Sequence, residues 1–148
     1  MADQIQLRPE QIHLKEFRIV QGQINSPENI KLKRIKSFQS EVGLDIAFNL
    51  EKRAIKADIQ VSAATESEGK NKEEGSTFFH IVYFFEVDNI QELVKETTAN
   101  QLDVHPHLAN AIASVSYSTT RGILLTRLQG TALRDFILPV IDPNSLIK

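Results

Sequence analysis

Between Val42 and Ala63 the chain alternates apolar and polar residues with a period of two. Val42, Leu44, Ile46, Phe48 and Leu50 stand against Gly43, Asp45, Ala47 and Asn49. Ile55, Ala57, Ile59, Val61 and Ala63 stand against Lys56, Asp58, Gln60 and Ser62. This period places each set on one face of a strand and predicts a sheet with one face buried. The runs predict strands over 42–50 and 55–63, with "EKRA" (51–54) as the hairpin turn between them. The run "TFFHIVYFFEV" (77–87) is apolar on both faces, Phe79, Ile81, Tyr83 and Phe85 alternating with Phe78, His80, Val82 and Phe84. It predicts a strand covered, at least in part, on both sides. Residues 12–24 supply a fourth strand, with Phe17 and Ile19 on one face and Val20 and Ile24 on the other. The polar stretch 66–75 reads as a solvated hairpin loop. Short connections predict an antiparallel meander. Residues 25–41 scatter Ile30, Leu32, Ile35 and Phe38 among three lysines and an arginine, which predicts a surface crossover loop.

After the sheet the period changes. "NIQELVKETTA" (89–99) predicts a short helix with Ile90, Leu93 and Val94 on one side. Pro106 suits the first position of a helix, where its missing N–H costs nothing. Leu108, Ala111, Ile112, Val115, Thr119 and Gly122 follow at steps of three and four and share one face. Ala109, Ala113, Ser116 and Thr120 form a second stripe of small residues, expected at an oligomer interface. Arg127 and Gly130 are stop signals. A helix from Pro106 to Gln129 would be about 36 Å long, enough to pack on its own sheet and on another helix. Asp142 and Pro143 read as the cap and first residue of a final turn.

Composition narrows the function classes. The 148 residues predict one domain, 1–148. With no cysteine there is no disulfide, thiolate chemistry or Cys-based metal site, and a reducing, cytoplasmic setting is expected. The start lacks the basic and apolar regions of a signal peptide, and no apolar run approaches the roughly 20 residues that span a bilayer. A formal charge of −2 gives no nucleic-acid footprint.

The candidate chemistry has plain structural explanations. His105 and His107 are two apart and have no third ligand of suitable type nearby, so His105 is expected to cap the helix and His107 to lie exposed in its first turn. Ser114, Ser116 and Ser118 lack a GxSxG turn and read as helical interface serines. His80, mid-strand among aromatics, reads as packed or semi-exposed. No glycine spacing fits a phosphate loop, and Glu73–Glu74 falls in the solvated loop. No catalytic residue, metal or cofactor is expected. What stands out is apolar material in irregular segments, over 30–44 and over 123–138. It belongs either to the core and an oligomer interface or to an exposed binding groove.

The order of these elements resembles the SecB family of protein-export chaperones. The resemblance rests on the strand "FRIVQGQI", the crossover, three further antiparallel strands, the Pro-started helix "HPHLANAIASVSYSTTRG" with its Arg121–Gly122 pair, and "LPVIDPNSL" with Pro139–Val140. It extends over roughly residues 12–147. It implies an α+β protomer: a four-stranded antiparallel sheet with a long helix packed on one face. It implies a homotetramer, a dimer of dimers with the long helices between the sheets. The implied function is ATP-independent holding of unfolded polypeptides in apolar grooves. Carried over by position, the client-binding residues are Ile30, Leu32, Ile35, Phe38, Val42 and Leu44. The groove's second wall is either missing or supplied by Leu124, Leu128, Leu133, Phe136 and Ile137, from an aliphatic stretch placed where the family has an early proline.

The family's C-terminal helix is expected to be reduced to a turn here, and its acidic docking positions for the export motor ATPase have no clear counterparts. Two clients therefore stay open, a pool of exported precursors or one dedicated partner such as the antitoxin of a toxin–antitoxin system. A small-ligand binder or enzyme sharing the layout is the remaining alternative.

Overall fold

The computed structural model describes residues 7–69, 73–98 and 100–147. Its main sheet has four antiparallel strands: β1 (Ile12–Asn25), β2 (Ile35–Asn49), β3 (Ala54–Ser67) and β4 (Ser76–Val87). A single helical turn, α1 (Ile90–Leu93), leads into a small hairpin of β5 (Val94–Glu96) and β6 (Leu102–Val104). The helix α2 (Pro106–Arg127) follows, and a 3-10 turn (Pro143–Leu146) comes near the end.

The strand order is β1-β4-β3-β2. β2, β3 and β4 form the expected meander. β1 does not continue it, lying at the far edge beside β4, so residues 26–34 carry the chain across two intervening strands, about 14 Å at strand spacing. The crossover is shorter than 25–41 because β2 starts at Ile35. Ser40, a polar residue on the inner face, interrupts the alternation that would have marked this extension. Phe38 and Ser40 nonetheless pair with Thr65 and Ala63 on the face that carries Val42 and Leu44.

In β1 the register slips between Leu14 and Glu16 and again between Ile19 and Gln21. A bulge adds one residue to one strand and reverses the face of everything after it. Ile24 therefore returns to the face of Phe17 and Ile19, rather than sharing the opposite one with Val20.

Two polar devices close the hairpins. At the β2–β3 turn Arg53 adopts the left-handed conformation (φ 54°) and its carbonyl accepts from the Val87 amide at 2.9 Å. At the β3–β4 connection Glu74 is half-buried rather than solvated. Its carboxylate accepts from the Thr65 hydroxyl and from the Ser67 amide and hydroxyl, at 2.8–2.9 Å.

The helix expected over 89–99 stops after one turn, because Val94 turns extended (φ −130°) and pairs with Val104; residue 99 lies outside the described residues. Ile90, Leu93 and Val94 still close the end of the core.

The core sits between the sheet and α2. Ile55, Ala57, Ile59 and Val61 of β3 and Phe79, Ile81, Tyr83 and Phe85 of β4 form its floor. Leu108, Ile112, Tyr117 and Leu124 descend onto it from α2. Gly130 takes φ +82°, a conformation that favours glycine, and the helix has ended just before it. The chain then doubles back on the β2 side of α2. Leu128, Leu133, Phe136 and Leu138 are buried in this return, and the Tyr117 hydroxyl donates to the Pro139 carbonyl.

Candidate functional site

A cleft of about 550 Å³ opens at the β2 edge of the sheet. Its floor is Leu44, Ile46 and Phe48, three alternate residues that share the inner face of β2. Pro106 and Ala109 from the first turn of α2 form one wall, and Leu102 and Val104 of β6 close one end. Asn144, Leu146 and Ile147 form the opposite wall, with Asp45 at the margin.

Capping positions these walls. The His105 ring nitrogen Nδ1 accepts from the His107 amide at 3.1 Å, and the His105 amide donates to the Leu93 carbonyl at 2.7 Å. The start of α2 is thereby tied to the end of α1. Asp142 accepts from the Asn144 amide at 3.0 Å and fixes the final turn, with Pro143 in its first position, as expected. The Asn110 amide donates to the Asn144 side chain at 3.1 Å, joining that turn to the helix.

At the other end of the β2 inner face, Phe38 packs against Phe136 with the rings tilted by 58° and their centroids 5.6 Å apart. Ile30, Ile35, Phe38 and Val42 are half-buried, while Leu32 and Ile137 are exposed. Ile137 is 59% exposed and Val140 88%. Lys31, Lys33, Arg34 and Lys36 are all exposed in the same segment. Leu44, Leu124, Leu128, Leu133 and Phe136 are buried; of these five only Leu44 reaches the cleft, as part of its floor. The aliphatic stretch after Arg121 thus contributes chiefly core, and offers Leu125, Ile137 and Val140 to solvent.

The small residues of α2 divide differently from the two stripes read in the sequence. Ala113, Ser116 and Thr120 are buried within the chain, and Ala109 lines the cleft. The Thr120 hydroxyl meets that of Tyr83 at 2.7 Å, so this side of the helix faces the chain's own sheet. The open side carries Ala111, Ser114, Ser118 and Gly122, with Val115 (38% exposed) and Leu125 (37%) at its flanks. β1 is also open: Leu14, Phe17 and Ile24 lie on the inner face beyond the reach of α2, and Phe17 is 46% exposed.

The polar candidates are structural. His80 Nε2 sits 2.8 Å from Asp58 Oδ1 on the outer face of the sheet. His107 is exposed in the first turn of α2. Among the described residues no three His, Asp or Glu side chains are grouped to hold a metal ion. Burial pushes the Tyr83 hydroxyl up to about 12. Tyr117 is also raised, by burial against the opposing charge of Arg121.

Ile46 and Phe48 were not among the client residues expected from the sequence, although they continue the alternation that contains Leu44. Leu102 joins the cleft through the β5–β6 hairpin, and Leu146 and Ile147 through the return of the chain, neither of which local periodicity encodes.

A four-stranded antiparallel sheet crossed by one long helix, with a crossover between the first two strands, is the SecB-like fold. The chain is similar to the Mycobacterium tuberculosis SecB-like chaperone solved in complex with a ChAD peptide from the HigA1 antitoxin, with a TM-score of 0.61 and 14% identity. The similarity covers 89% of this chain and 91% of that one. No family model matches the chain, and no curated protein matches it.

Proposed function

We propose that this protein is an ATP-independent chaperone that holds non-native polypeptide in the apolar groove along β2. The observation that carries this reading is the cleft over Leu44, Ile46 and Phe48, with Phe38 at the other end of the same strand face and Leu32 and Ile137 exposed. Unfolded chains offer scattered apolar side chains, and each Å² of apolar area removed from water contributes roughly 25 cal/mol. A surface of many weak contacts binds without demanding one sequence.

The SecB-like neighbour, solved with an antitoxin peptide, supports a chaperone role and favours a dedicated antitoxin client over general export. The assembly we propose is a homotetramer, a dimer of dimers. The open side of α2, with small residues flanked by Val115 and Leu125, supports helix-to-helix contact. The uncovered apolar residues of β1 support a second interface.

Light scattering of the chain, alone and with a reduced and carboxymethylated polypeptide that cannot fold, tests the reading. A tetramer that takes up this polypeptide without ATP is expected. A monomer that leaves it free in solution overturns the proposal, and attention then turns to small ligands in the cleft.

A further inference from the structure

We infer that β2 captures its client by strand addition, so that an extended segment hydrogen-bonds to the backbone edge of β2 while alternate side chains drop into the cleft. This deepens the proposed function and rests on it. The inference follows from the direction of the backbone groups. Within a strand, the N–H and C=O of one residue point to the same side, and consecutive residues alternate. The Thr65 amide donates to the Gly75 carbonyl, and the Val87 amide to the Arg53 carbonyl, both at 2.9 Å. Odd-numbered residues of β3 therefore face β4, and even-numbered ones face β2.

The register pairs Gly43 with Gln60 and Asp45 with Asp58, and it is unbroken from Ser37 to Asn49. Gly43 and Asp45 therefore bond β3, and Val42, Leu44 and Ile46 turn their backbone groups outward. β2 is an edge strand, and no backbone hydrogen bond from another element reaches those three among the described residues. Unpaired edges of this kind accept a further strand. Leu44 and Ile46 are also floor residues of the cleft. The same residues thus present both the free backbone and the apolar side chains, the combination an extended segment with apolar residues at every second position satisfies. At the opposite edge of the sheet, Phe17 of β1 is 46% exposed.

The test uses the intact protein and a synthetic peptide alternating leucine with serine, prepared unmodified and with N-methyl groups on either alternate set of amides. Methylating the set that faces β2 removes the donors for strand addition and is expected to weaken binding about tenfold or more. Methylating the other set leaves binding unchanged, and the sensitive set reports the strand orientation. In hydrogen exchange, the amides of Val42, Leu44 and Ile46 gain protection with the peptide, while those of Gly43 and Asp45 do not change. Binding indifferent to methylation of either set overturns strand addition and leaves the holding function intact. Failure of the protein to bind both the peptide and an unfolded polypeptide overturns both. Protection of Leu44 that rises with protein concentration alone makes a second copy the occupant and overturns the inference.

Discussion

The hydroxyl of Tyr83 lies 2.7 Å from that of Thr120, and this pair ties the floor of the sheet to the helix that crosses it. Thr120 donates its own hydrogen to the Ser116 carbonyl at 2.8 Å, so Tyr83 is the donor between them. Removing the donor in Tyr83→Phe is expected to lower stability by about 1 kcal/mol. In urea titrations of Tyr83→Phe, Thr120→Val and the double variant, the losses should fail to add, because both single changes remove the same bond. Strict additivity refutes the coupling.

The same tyrosine gives stability a pH dependence. Its folded-state value is raised to about 12 from an ordinary value of 10, so folding favours the neutral phenol. The contribution is complete below pH 10 and is lost as pH rises from about 10 to about 12. The slope is at most about 1.4 kcal/mol per pH unit, for one proton released on unfolding. Melting curves across this window should show the loss, and Tyr83→Phe should flatten it.

Ser116 is buried beneath the helix, and its hydroxyl has no hydrogen-bond partner among the described residues. A buried hydroxyl without a partner is costly, and alanine is the best helix former. Ser116→Ala is expected to raise stability by about 0.5–1 kcal/mol in denaturant titrations. A loss of stability would mean that the hydroxyl is satisfied in solution.

Phe38 and Phe136 touch, yet they have different expected roles. Phe136 is buried, and Phe136→Ala should cost about 3–5 kcal/mol through the cavity it leaves. Phe38 is half-buried on the groove side, so Phe38→Ala should cost less and chiefly weaken client holding. Comparing denaturant midpoints with suppression of client aggregation separates the two. Unimpaired holding by a folded Phe38→Ala variant removes Phe38 from the groove.

Gly75 passes close to the returning chain. A Cβ there would meet the Ala132 methyl at 3.0 Å and the Asn25 carbonyl at 3.3 Å. Gly75→Ala is expected to destabilise by about 1–3 kcal/mol, the usual cost of overpacking. An unchanged melting temperature would show that the 128–138 return shifts freely.

The proposed assembly side of α2 can be probed with Leu125→Glu. The residue is 37% exposed, so the monomer should fold normally while light scattering reports a smaller assembly. An unchanged mass excludes Leu125 from the interface.

Local pattern was enough to place the four strands, the long helix and its caps at His105 and Asp142. Each depends on residues near one another in the chain: alternation in β2 and β3, proline at a first turn, a carboxylate two residues before an amide. The ends of β2 and α1 were not legible, because Ser40 breaks the alternation and Val94 leaves a helical pattern to pair with Val104. The two bulges of β1 were not legible either, and they decide that Ile24 faces inward.

The sequence by itself determined the kinds of element and the apolar residues they carry, since periodicity is a local property of the backbone. Only the tertiary structure decided which of those residues remain open. Leu128, Leu133 and Phe136 match Ile137 in hydrophobicity, yet the return of the chain buries three and exposes one. Likewise the strand order, by placing β2 at an edge, leaves the backbone of Leu44 and Ile46 unpaired beside an apolar cleft. Burial and edge position arise from contacts between residues far apart in the chain, which no local pattern encodes.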